Sequence, residues 1–106
     1  MMNRRMLSLV LLVGLMLPAC TWVELKPEAE KVRIGALEEV ANCRKLASTT
    51  VMVKADVATF ARNREKVRSE LETLARNNAA HLKGNVVVPV TPIEDGSQSF
   101  VVYRCR

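Results

Sequence analysis

The sequence predicts a small α+β domain, a largely antiparallel sheet with one long helix packed on a face, in the order β-β-α-β-β. Three observations predict it. Val57, Phe60, Arg64, Val67, Leu71, Leu74, Asn78 and Leu82 recur at spacings of three or four, which puts the apolar members on one stripe of an α-helix. Runs rich in β-branched residues stand on both sides of that helix, STTVMVK before it and NVVVPV and SFVVYRC after it. Strands flanking a single helix, in a chain with room for one modest core, make an α+β layer pair.

Ahead of the domain, residues 1–19 have the parts of an export signal: Arg4 and Arg5, an apolar run from Leu7 to Leu17, and the small Ala19 before a cut. The run is too short to span a hydrocarbon core, which takes about twenty apolar residues. A plain signal peptidase site wants small residues at the third and first positions before the cut, and Leu17 does not fit the first of these. Leu17-Pro18-Ala19-Cys20 instead resembles the lipobox of bacterial lipoproteins, with Pro18 where Ala, Ser or Thr is usual. The resemblance implies that Cys20 becomes the first residue and carries diacylglycerol on its thiol. Acyl chains at about 0.8 kcal/mol per buried methylene would then hold the chain to a membrane. Thr21 stands where lipoproteins retained at the inner membrane carry Asp, so the implied location is the periplasmic face of the outer membrane. The alternative is a secreted protein in which Cys20 is an ordinary thiol or disulfide partner.

Residues 20–30 are expected to be the lipidated N-terminus and a short polar tether, and residues 31–106 the periplasmic domain. Trp22 either rests at the bilayer interface or packs on the domain. Val32 and Ile34 alternate with Lys31 and Arg33 in a first, half-exposed strand over 31–37, which Gly35 ends or bulges. LEEVANCRKL starts as a turn of helix and carries Cys43, and Ser48 to Lys54 forms the second strand with Val51 and Val53 on one face. The helix runs from about Arg64 to Lys83, with Asp56 or Asn63 to cap it and Gly84 as its left-handed stop. Ala75 and Ala79 lie beside its stripe, and Arg68, Glu72 and Arg76 follow one another at the four-residue spacing that suits ion pairs. NVVVPV reads as a strand buried on both sides, with Pro89 at an edge or in the last pair. Asp95-Gly96 supplies a turn. In the last strand Phe100 and Val102 face one way, and Val101, Tyr103 and Cys105 the other.

Removal of Arg4 and Arg5 lowers the formal charge from +5 to +3, and the remaining charges are spread along the sequence. Nucleic-acid binding would want a clustered basic face with stacking aromatics, and none is evident. With Cys20 assigned to lipid, Cys43 and Cys105 remain as a pair suited to an oxidising compartment, where a disulfide forms and persists. The competing readings are a metal site or a redox thiol pair. Two distant cysteines and the single His81 are too few ligands, and no CxxC is present, so no metal or cofactor is expected. No catalytic set stands out either. His81 sits near the helix end without an identifiable nucleophile or orienting partner, Glu38, Glu39, Glu70 and Glu72 read as solvated charges, and no glycine-rich phosphate loop or HExxH occurs.

The lipobox, Cys43 followed by a β-rich segment to Val53, the Ala-Ala-x-x-x-Gly-Asn-Val-Val-Val run from Ala79 to Val88, and Val-Tyr-Arg-Cys from Val102 to Cys105 resemble one family. It comprises small Gram-negative lipoproteins defined as domain-of-unknown-function family 4156, distantly similar to the outer-membrane stress sensor RcsF. The chain departs from the pattern in having Leu46-Ala47 where a glycine is expected after Cys43, and His81-Leu82-Lys83 before Gly84. The resemblance implies a fold and a compartment, and it brings no established activity with it. The expectation is an outer-membrane lipoprotein that is not an enzyme, a binding or stress-sensing module. It is held to the membrane through its lipid anchor, with an envelope protein as a possible partner and no nucleic acid or small-molecule substrate. The alternative is a structural envelope-maintenance protein touching lipid headgroups or peptidoglycan.

Overall fold

The computed structural model describes residues 23–54 and 63–106. Its strands are β1 (Arg33–Ile34), β2 (Arg44–Met52), β3 (Val86–Pro89) and β4 (Ser97–Arg104), its helix is α1 (Arg64–His81), and 3-10 turns occupy Pro27–Ala29 and Leu37–Val40. One four-stranded sheet is ordered β1-β3-β4-β2. β4 is antiparallel to both of its neighbours, whereas the two-residue β1 runs parallel to β3. The predicted α+β class and element order hold, in a mixed sheet. Among the described residues no helix is long and apolar enough to cross a membrane.

β3 explains why its sequence shows no alternation. Val86, Val87 and Val88 are all buried, because this central strand is covered on both faces. Val87 joins the core under α1 with Phe100, Val102, Leu71 and Val67. Val86 and Val88 face the other way, onto Val40, Cys43, Tyr103 and Cys105. Pro89, which has no N–H to donate, is the last residue of the strand.

The helix starts at Arg64 as predicted and ends at His81, two residues before the predicted Lys83, and its buried line differs from the expected stripe. Val67, Leu71, Ala75 and Ala79 form that line, while Leu74 packs only partly and Leu82 is 43% exposed. Steps of four residues overshoot a full turn by about 40°, so the contact line winds round the helix as it crosses a twisted sheet. The alanines, fully buried, let the helix approach closely where the line ends. Asn63 precedes α1 without a side-chain cap, and Asp56, Val57 and Phe60 lie outside the described residues.

The stop of α1 also departs from expectation. Lys83, not Gly84, holds the left-handed backbone, at φ 64°. The Lys83 N–H donates to the Ala80 carbonyl and the Gly84 N–H to that of Ala79, which is a Schellman closure with lysine at its left-handed position. Gly84 is required for a different reason. A Cβ there would stand 2.3 Å from Val102 Cγ1 and 3.1 Å from the Tyr103 carbonyl oxygen.

The first strand is shorter than predicted, ending at Ile34, although the alternation holds with Val32 buried and Lys31 and Arg33 exposed. β2 starts four residues earlier than predicted. A register shift between Lys45 and Ala47 leaves Leu46 unpaired and turned onto the core, which disrupts the period-two pattern there. Asp95 and Gly96, at φ 50° and 72°, form the tight hairpin turn, closed by reciprocal Glu94 and Ser97 backbone bonds.

Residues 24–30, inside the stretch expected to act as a tether, lie against the helix. The Asn77 amide donates to the Glu24 carbonyl and accepts from the Lys26 N–H, both at 2.9 Å. Arg76 donates to the carbonyls of Val32 (2.6 Å), Glu30 (3.2 Å) and Ala29 (3.3 Å). It is therefore not engaged with Glu72 as its spacing suggested, and Arg68 stands 3.9 Å from Glu65 instead of pairing with Glu72. Arg76→Leu keeps the aliphatic packing and abandons three carbonyls, so it should cost about 2 kcal/mol. Denaturant unfolding of the two proteins measures that loss, and an unchanged midpoint would show that water replaces the guanidinium without penalty.

Candidate functional site

One end of the sheet gathers the sequence features that local reading left unconnected. Cys43 follows the Leu37–Val40 turn, tied by its N–H to the Val40 carbonyl, and immediately precedes β2. Cys105 immediately follows β4. Because Arg44 pairs with Arg104 in the antiparallel register, the next residues outward on the two strands face each other. Cys43 and Cys105 meet there with their Cα atoms 4.6 Å apart and their sulfurs bonded.

Asn85, the residue just before β3, fastens the same end. Its side chain donates to the Cys105 carbonyl (2.6 Å) and accepts from the Cys105 N–H (2.8 Å), extending the backbone pairing by one side chain. Gly84 admits Val102 beside it. The Gly84-Asn85 pair and the cysteine-ended last strand thus belong to one joint.

The charges at this end are concentrated, although the sequence spreads them along the chain. Lys31, Arg44, Lys83 and Arg104, with Glu28 and the exposed Leu82, line an open concavity of about 560 Å³. A neighbouring hollow beside the disulfide shares Arg44 and Arg104 and adds Arg33, Arg106 and the acidic Glu39. Arg104 donates to the Lys83 carbonyl at 3.3 Å, complementing the negative end of α1. Among the described residues no hydrogen bond or ion pair engages the side chain of Arg44 or Lys31.

Arg33 is differently placed, 2.7 Å from Glu39, whose other oxygen accepts from the Ala36 N–H. The hydrogen bond from Arg33, then that from Ala36 and the guanidinium charge, hold the Glu39 carboxyl below its ordinary value of 4.5. A depressed carboxylate stabilises the fold above its unfolded value and loses that contribution as pH falls through its folded value. Carbon-detected NMR titration should therefore give Glu39 a midpoint below 4.5 that returns towards it in Arg33→Ala. An unchanged midpoint in that variant would remove Arg33 as the cause.

Of the residues singled out from sequence, Cys43 and Cys105 come together and Cys20 lies outside the described residues. His81 is the exposed last residue of α1, and Glu38 and Glu39 sit on the Leu37–Val40 turn, away from Glu70 and Glu72 on the helix. Among the described residues no group of three or more His, Cys, Asp or Glu could hold a metal ion. Sequence reading had Asn85 only as part of the Gly84-Asn85 motif, with no role, and missed the Arg44–Arg104 pair. The signal for the arginines was present: each adjoins a cysteine, so an antiparallel Cys43–Cys105 link already implies that they are neighbours.

The model of a family described as a domain of unknown function, DUF4156, matches residues 23–105. No curated protein and no solved structure matches the chain. The match begins just before the residues docked on α1 and closes on Cys105, and the chain belongs to the DUF4156 family.

Proposed function

We propose that this protein is a lipid-anchored, non-enzymatic binding module of the bacterial envelope, fixed through Cys20 to the periplasmic face of the outer membrane. The observation that carries this reading is the Cys43–Cys105 link at a basic, concave end of the sheet. Such a pair persists in an oxidising compartment, and it fastens a surface suited to contact rather than to chemistry. The leader and Leu17-Pro18-Ala19-Cys20 supply the anchor in this reading. By its distant similarity to RcsF, the module would report on the outer membrane to an envelope protein, an argument from fold alone. The basic concavity favours a second reading, direct contact with anionic headgroups or peptidoglycan.

The test is the intact mass of the protein from the outer-membrane fraction, alkylated with and without prior reduction. The expected result is a triacylated Cys20 start with two alkyl groups gained only after reduction. An unlipidated start, or cysteines that alkylate unreduced, would overturn the compartment.

A further inference from the structure

We infer that the concavity at the disulfide end is a contact surface for the phosphates of anionic lipids, and that the domain lies on its own membrane through it. The inference rests on the reading of Cys20 as a lipid anchor. Four cations, Lys31, Arg44, Lys83 and Arg104, share that concavity with one carboxylate, Glu28. Arg44 and Arg104 stand directly opposite each other on neighbouring antiparallel strands, where like charges repel. Nothing within the described residues neutralises Arg44, and Arg104 spends only one donor on the Lys83 carbonyl. The Cys43–Cys105 bond, one residue outward on each strand, holds the two arginine positions opposite each other against that repulsion. A phosphate between them relieves it, and guanidinium donors fit phosphate oxygens well.

The occupant follows from where the chain enters the domain. Glu24 is held on Asn77, and Ala80, one helical turn further along, lines the concavity. Cys20 precedes Glu24 by four residues, which reach at most about 14 Å. A membrane that holds Cys20 is therefore within reach of the basic end. Leu82 projects from the same rim, 43% exposed, as an apolar residue among cations does at a headgroup boundary.

The full-length lipoprotein, reconstituted in phosphatidylcholine vesicles with or without phosphatidylglycerol, tests this by amine-reactive labelling read by mass spectrometry. Lys31 and Lys83 should label about fivefold more slowly on the anionic vesicles, recovering in high salt. Lys54, just beyond the opposite end of β2, should not change. The protection should vanish in Arg44→Gln/Arg104→Gln and weaken on reduction of the disulfide. Equal labelling on both vesicle types, or equal slowing of Lys54, would overturn the inference. So would protection on neutral vesicles by added inorganic phosphate alone, which makes the site one for a free anion. Protection there that grows with protein density assigns the surface to a second copy and also overturns it. Flotation in high salt separates the two readings. A protein that fails to float refutes the anchor, whereas one that floats with Lys31 and Lys83 unprotected refutes only the surface.

Discussion

Replacing both Cys43 and Cys105 by alanine is expected to lower the unfolding free energy by about 4 kcal/mol. The bond closes a loop with a sequence separation of 62, and the unfolded chain regains that closure entropy when it is lost. In a domain this small the loss corresponds to a fall in Tm of about 20 °C, a large part of its margin against unfolding. The damage should also be local. Cys43, Tyr103 and Cys105 cover Val86 and Val88 on the sheet face away from α1, so hydrogen exchange at the start of β3 should accelerate beyond that at the α1 face. Calorimetry of the oxidised and reduced wild type is the direct measurement. A difference under about 1 kcal/mol would mean that the reduced, unfolded chain is already constrained or that the bond strains the fold.

Gly84→Ala is expected to cost about 3 kcal/mol, although a methyl group is the smallest addition possible. Its Cβ would sit 2.3 Å from Val102 Cγ1 and 3.1 Å from the Tyr103 carbonyl oxygen. Val102 is fully buried in the core, and Tyr103 is held in the ladder with Val86. Neither can move without opening the β3–β4 pairing. The neighbouring substitution should have the opposite sign. Lys83 carries the left-handed backbone, which costs an ordinary residue about 1 kcal/mol, so Lys83→Gly should stabilise by about that much. Chemical denaturation of both variants reads the pair together. A stabilised Gly84→Ala would show that the strand, rather than the methyl, gives way.

These two positions show how far a sequence carries. A glycine after a periodic helix is the usual left-handed stop, and the rule placed the stop within one residue of its true place. Assigning the glycine's purpose required knowing that β4 passes against it, and Val102 lies 18 residues further along the chain. Ala75 and Ala79 make the same point. Their spacing puts them beside the stripe, but the packing of α1 on the sheet puts them on its buried line. Arg76 had two outlets, Glu72 on its own helix and the carbonyls of the N-terminal segment. Only the docking of residues 24–30 selected the second.

The residues of this chain determined by themselves what depends on near neighbours: the period of α1, the all-valine β3, the Asp95-Gly96 turn, the facing of Phe100 and Val102, and the order of elements. Propensity and periodicity act over a few residues, so a sequence displays them directly. The tertiary structure decided what depends on which strand lies beside which. It set β1 parallel to β3, extended β2 back to Arg44 through a register shift, and laid Asn85 against Cys105. It also brought Arg44 and Arg104 together into one basic end. Those contacts join residues tens of positions apart, and their energies exist only once the chain has closed on itself.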